Sequence, residues 1–231
     1  MRLDSYLTTL GIASRREAKK YIEGGLVKVN GKRPSSSGMT IDLDHHKISL
    51  DKKIQIARDQ KETVLAYKPR GCISSHDEGK KNIFEVFPQY AHLHCVGRLD
   101  RDTNGLILLS NDGLITKAIT GVPHIIEKEY LVKVREDVIP WMMEKMQKGI
   151  KLRDGWAVAV HAEKIDKHTF SVTLKDGRKH QVRRMANALK LTITSLTRVR
   201  IGHLRVRSLR AGQVRKLRPQ DIRKIINQEN V

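Results

Sequence analysis

Near the start of the chain Leu3, Tyr6, Leu7 and Leu10 recur at helical spacing, and Gly11 is placed to end that helix. Ser14 can cap a second helix that runs through Ala18 and Ile22 to a stop at Gly24-Gly25. Leu26-Val27-Lys28-Val29 then reads as a short strand turning at Asn30-Gly31, a strong hairpin signal. Pro34-Ser35-Ser36-Ser37-Gly38 reads as a loop, and the polar run from Asp51 to Glu62 as a linker, which places a domain boundary near residue 60. Beyond it, strand-like runs at 63–67, 105–109, 129–134, 156–162 and 169–174 interleave with helical patterns near 113–120, 137–149 and 179–190. That order predicts an α+β fold rather than repeated βαβ units.

Charge narrows the choice of partner. The 231 residues carry 45 Lys and Arg against 25 Asp and Glu, a formal charge of +20, which favours a polyanion. The first 33 residues hold eight basic and three acidic residues, and Arg15, Arg16, Lys19 and Lys20 fall on or beside the second helix, within reach of phosphates or simply solvated. Residues 175–218 hold 14 basic residues and one acidic, including Arg198, Arg200, Arg205, Arg207 and Arg210, and read as a phosphate-binding track. Aromatics are only 4% of the chain, which argues against wide stacking platforms. Two cysteines, Cys72 and Cys95, are too few for a disulfide framework and point to a reducing cytoplasm. No apolar run approaches a membrane span, and the polar start Met1-Arg2-Leu3-Asp4 lacks the apolar core of a signal peptide.

The densest chemistry is Gly97-Arg98-Leu99-Asp100-Arg101-Asp102-Thr103-Asn104-Gly105-Leu106, a polar loop abutting the apolar run Ile107-Leu108-Leu109. A carboxylate flanked by arginines, a hydroxyl donor and two glycines is an arrangement that active sites use, although the residues alone allow Asp100 merely to cap a turn. In the run Lys128 to Val134, alternation puts Tyr130 on one face with Val132 and Val134, consistent with a core aromatic. His92 and His94 lack a third ligand at zinc spacing, as do His45 and His46, so no metal site is expected. Phosphate-binding GxxxxGK loops and dinucleotide turns are absent, so no cofactor is expected.

The pattern Gly-Arg-Leu-Asp-x-x-Thr-x-Gly-Leu resembles the catalytic motif of the pseudouridine synthases, in particular the RsuA-like branch that modifies ribosomal RNA. Three further motifs follow the family's order: Lys68-Pro69-Arg70-Gly71, Lys128-Glu129-Tyr130, and Gly177 through Met185. Residues 1–48 resemble the RNA-binding module of small-subunit ribosomal protein four, through Ser14-Arg15-Arg16-Glu17-Ala18, Ile22, Gly25, Val27 and Val29-Asn30-Gly31. The resemblance implies that module of two helices and short strands, a linker at 49–60, and a mixed, mainly antiparallel-sheet catalytic domain at 61–231. It also implies isomerisation of uridine to pseudouridine in ribosomal RNA, with Asp100 as nucleophile or general base. Arg183 would pair bidentately with that carboxylate, and Tyr130 would stack on the uracil. Arg98 would fill the space of a flipped-out base, with Lys179 and Arg184 as RNA contacts. The Ser14-to-Gly31 pattern is closer to members acting on large-subunit RNA. The implied partner is ribosomal RNA or a subunit assembly intermediate, bound by a monomer without cofactor or metal. A non-catalytic RNA-binding protein of the same fold is the main alternative, and intact Asp100, Tyr130 and Arg183 argue against it; a DNA-binding protein would rest on charge alone.

Overall fold

The computed structural model describes residues 1–75, 79–121 and 126–226. At the N-terminus, α1 (Leu3–Thr9) and α2 (Arg15–Glu23) bury Leu3, Leu7, Ala18 and Ile22 against each other. Ser14 starts α2 with a capping box: its hydroxyl accepts from the Glu17 amide, and the Glu17 carboxylate accepts from the Ser14 amide. Strand β1 (Val27–Val29) turns at Asn30 and Gly31, with φ of 51° and 74°, where the backbones of Val29 and Lys32 exchange hydrogen bonds.

The partner of β1 is not the segment directly after that turn but β2 (Ile48–Leu50), which pairs antiparallel with it. The polar run read as a linker is likewise mostly helix, α3 (Lys52–Asp59), capped by the Asp51 side chain on the Lys53 amide. Ile54, 2% exposed, fixes α3 to the N-terminal core, and it is the helix's sole buried residue. One apolar anchor in eight residues carries too little periodicity to read from sequence.

The remaining elements are β3 (Thr63–Lys68), α4 (Ile83–Val86), β4 (His94–Val96), β5 (Asn104–Ser110), α5 (Gly113–Thr120), β6 (Lys128–Val134), α6 (Pro140–Lys148), β7 (Ile150–Leu152), β8 (Gly155–Ala157), β9 (His161–Asp166), β10 (Thr169–Leu174), α7 (Gln181–Ala188), β11 (Ile193–Ile201), β12 (Leu204–Arg205), β13 (Val214–Lys216) and α8 (Pro219–Ile226). They build a nine-stranded sheet of order β13-β3-β5-β11-β6-β10-β9, with β4 on β5 and β12 on β11, while β7 and β8 form a separate hairpin. Among these described strands every pairing is antiparallel except β11 with β5. The α+β architecture therefore holds. The predicted strand over 156–162 divides into β8 and β9.

Strand β5 is the hinge of this layout. Its run Leu106-Ile107-Leu108-Leu109 alternates between two cores: Leu106 and Leu108 pack with Ile115 and Ile225, Ile107 and Leu109 with Phe87 and Leu93. A third core, around Phe170, Met143 and Met185, lies under β6 and β10. One edge of β5 pairs throughout with β3, whereas the other is shared, with β11 at Asn104–Gly105 and β4 at Leu108–Ser110. In the gap, Arg198 Nε donates to the Leu106 carbonyl at 2.7 Å, so a buried guanidinium completes the ladder. Among the described residues, no helix is long and apolar enough to cross a membrane.

Candidate active site

The loop that presents Asp100 is fixed from three sides. The Thr103 amide closes a turn on the Asp100 carbonyl at 3.0 Å, and the Gly71 amide donates to the Arg101 carbonyl at 2.8 Å. Ser74 Oγ donates to the Leu99 carbonyl and accepts from the Leu99 amide, at 2.9 and 3.1 Å. Lys68 is fully buried, with Nζ donating to the carbonyls of Cys72 (2.7 Å) and Pro69 (3.0 Å) and lying 3.5 Å from that of Arg101. Burial pushes its pKa below the usual lysine value. The Lys-Pro-Arg-Gly turn and the Asp100 loop are thus one hydrogen-bonded unit.

Glycine is required where this loop enters β5. Gly105 has φ of 107°, and a Cβ there would lie 2.3 Å from the Arg198 carbonyl oxygen. No side chain fits between β5 and β11 at that point.

Asp100, with 37% of its side chain exposed, stands on the wall of a cavity of about 540 Å³. Its Oδ1 lies 3.3 Å from His180 Nε2, and its Oδ2 lies 4.0 Å from Arg183 Nε. The expected bidentate fork between Arg183 and Asp100 is not made. Arg183 Nη2 is committed to the loop instead, donating to the Asp102 carbonyl at 3.1 Å and to Thr103 Oγ1 at 3.3 Å. No local pattern singles out His180; its backbone is left-handed (φ 54°) where α7 begins, and its ring meets Asp100. The signal available in sequence was its place within the Gly177–Met185 motif.

The cavity face is set by strand register. Tyr130 on β6 lies opposite Arg198 on β11 and Val172 on β10, so these side chains share one face. Tyr130 is half-buried, packs against two of the cores and lines the cavity with Leu174, Val182, Leu196 and Ile201. Two residues further along the same face, Lys128 is buried and donates to the carbonyls of Ile119 and Lys175, at 3.2 and 3.3 Å. Burial, reinforced by the nearby Arg198 charge, lowers its pKa to about 8. The cavity wall therefore combines the Asp100 and Asp176 carboxylates, an aromatic and aliphatic lining, and two buried cations, Lys128 and Arg198. Such a pocket suits a planar, polar-edged ring next to a group that carboxylate chemistry can attack or deprotonate.

Arg98 and Lys179 are exposed and line the cavity. Arg184 does not line it: the guanidinium forks onto Asp154 at 2.7 and 2.9 Å, so its charge is met within the protein. The basic track is narrower than its composition predicts. Arg198 is buried, Arg200 is held by Glu129 (2.7 Å) and Glu127 (3.2 Å), and Arg205 lies 3.4 Å from Glu129. Arg15, Arg16, Lys19 and Lys20 are exposed on α2, away from the cavity lining; Arg15 and Lys19 lie 3.7 Å from Asp4 and Glu23, respectively. His92 bonds Glu62 at 3.0 Å and His45 bonds Asp42 at 2.8 Å.

Comparison with known proteins places these features. The RNA pseudouridylate synthase family matches residues 62–188, and the S4 domain matches residues 1–45. The chain is 32% identical over 97% of its length to the ribosomal large subunit pseudouridine synthase B of Bacillus subtilis, covering 95% of that protein. To the ribosomal small subunit pseudouridine synthase A of Haemophilus influenzae it is 33% identical over 98% of its length, covering all of that protein. A crystal structure of a pseudouridylate synthase superimposes with a TM-score of 0.69 at 31% identity, over 97% of this chain and 99% of that one. An S4 domain precedes a sheet domain whose loop before β5 sets Asp100 on the cavity wall, and the chain belongs to the RNA pseudouridylate synthase family.

Proposed function

We propose that this enzyme isomerises a particular uridine of ribosomal RNA, in the large subunit, and that Asp100 is its catalytic carboxylate. The observation that carries this reading is the placing of Asp100 between His180 and Arg183 on the wall of a cavity whose interior is Tyr130, Leu196 and Val182. A uracil ring must leave its stack to enter such a pocket, and the exposed Arg98 at the mouth is placed to occupy the vacated space. Inside, the ring stacks on Tyr130. The bond from uracil nitrogen to ribose breaks, the base turns, a ring carbon rejoins the sugar and sheds its proton, and the freed nitrogen ends protonated. Nothing is oxidised or consumed, so a carboxylate acting on sugar or base is sufficient chemistry.

The relatives include proteins named for each ribosomal subunit at nearly equal identity. The resemblance of the Ser14-to-Gly31 pattern to members acting on large-subunit RNA favours that subunit, and the exposed basic residues of α2 form the face that docks on structured RNA. The protein acts as a monomer on ribosomal RNA or on an assembly intermediate in the cytoplasm.

Mapping pseudouridines in ribosomal RNA from cells lacking this gene tests the proposal. One large-subunit position should revert to uridine, and a plasmid copy should restore it while an Asp100→Asn copy should not. An unchanged map, or a lost position in small-subunit RNA, would contradict the target assignment.

A further inference from the structure

A second concavity of about 330 Å³ opens beside the first, lined by Trp156, Val158, Val160, Lys175 and Asp176; Asp176 is a wall of both. Trp156 is 62% exposed, and Val158 and Val160 next to it are also exposed. The hairpin of β7 and β8 that carries this ring is held by two arginines. Arg178 Nη2 donates to the Trp156 carbonyl at 2.5 Å and Nη1 to the Asp154 carbonyl at 3.2 Å, while Arg184 forks onto the Asp154 carboxylate. Behind the ring, Gly149 leaves so little room that a Cβ there would lie 3.3 Å from both Trp156 Cε3 and Val158 Cγ2.

Two arginines of the Gly177–Met185 motif thus hold the backbone beneath an exposed indole, whose ring edge rests against Gly149. Lys151, Arg153, Lys175 and Lys179 are exposed in or beside the same segment, which favours a polyanionic chain passing over it. Because Asp176 borders both concavities, a strand that delivers a uridine to the first cavity can pass over this rim. A fixed aromatic face beside cations is what an unpaired base stacks on, with little ordering cost on the protein side.

We propose that Trp156, flanked by Val158 and Val160, is a stacking site for an unpaired nucleobase next to the target uridine. This rests on the reading of an RNA substrate. It is a single ring rather than a platform, consistent with the low aromatic content.

The chain has two tryptophans, so Trp141→Phe leaves Trp156 as the sole indole reporter. Decauridylate should quench Trp156 emission, and a decamer of abasic ribose phosphates of equal charge should not. In the same background Trp156→Ala should bind decauridylate roughly 5- to 150-fold more weakly, and Trp156→Phe within about threefold of the parent. Equal quenching by the abasic chain, or unchanged affinity in Trp156→Ala, overturns the proposal. So does an alanine variant that binds naked RNA normally yet binds protein-containing subunits weakly, since the face would then meet protein. Pseudouridine formation by the Trp141→Phe protein is assayed in parallel. Base-dependent quenching without any pseudouridine would support the stacking site and sink the functional reading; pseudouridine with base-independent emission would do the reverse.

Discussion

Arg183 holds the loop more closely than it holds the carboxylate. Its Nη2 bonds to Asp102 and Thr103 are shorter than its 4.0 Å approach to Asp100, so its planar geometry positions the loop as well as facing the Asp100 carboxylate. Arg183→Lys keeps the charge but cannot span both, and kcat should fall roughly 10- to 100-fold with a smaller change in KM; loss of affinity alone would make Arg183 a phosphate ligand. Tyr130 lies between core and cavity. Tyr130→Phe should stay folded and turn over slowly, and Tyr130→Leu should also weaken engagement of the base. Equal losses of thermal stability with normal turnover would reduce Tyr130 to packing. Lys128 gives a pH signature. Its pKa in the folded protein is about 8, below the ordinary 10.5, so between those values the unfolded chain binds more protons and stability rises with pH. Urea denaturation of the parent should show roughly 1–2 kcal/mol more stability gained between pH 7.5 and 9.5 than Lys128→Met shows. Parallel curves would mean that Lys128 does not titrate in that window.

At the scale of elements, what was legible followed from local pattern. Strand β5 declared itself through four consecutive apolar residues, α2 through Ser14 and the spacing of Ala18 and Ile22, and β6 through alternation about Tyr130. Strand β11 did not, although it is central: Ile193–Ile201 reads as Thr, Ser and Arg interleaved with aliphatics, and its arginines counted as surface charge. The register shows why they are inside, since Arg198 fills the gap in the ladder of β5 and Arg200 is met by Glu127 and Glu129. Partners 70 or more residues away leave no local trace. His180 meets Asp100 across 80 residues in the same way, while Ser74 reaches Leu99 over 25 residues and Lys68, legible as a motif lysine, ties its own turn to the Arg101 carbonyl. Gly105 was legible as a motif glycine, and its reason is the backbone of Arg198 at 2.3 Å from any added Cβ. Gly105→Ala should therefore cost at least about 2 kcal/mol and reduce activity through the displaced loop, as read by denaturation and turnover together. An alanine variant of parental stability would contradict the close approach of β5 and β11.

For the whole molecule, the N-terminal core and the three cores of the sheet domain share no residue. What joins the two parts is polar and close: Lys61 is paired with Glu17 and Asp112, and Gly113 sits where a Cβ would lie 2.5 Å from Ser14 Cβ. We infer that residues 1–60 can be removed to leave a folded sheet domain. If Arg15, Arg16, Lys19 and Lys20 supply two to four phosphate contacts, the truncated enzyme should bind RNA more weakly. Its log affinity against log salt should be shallower by about 1.5–3 units. An unchanged slope would leave RNA binding to the sheet domain, whose own free cations are fewer than its composition implies. The central claim is that the Asp100 carboxylate performs the isomerisation, and its direct test is pseudouridine formation on unmodified large-subunit RNA by purified parent and Asp100→Asn proteins. The account predicts multiple turnover by the parent and none by the variant, with RNA affinity within a few-fold; measurable multiple turnover by pure Asp100→Asn protein would contradict it.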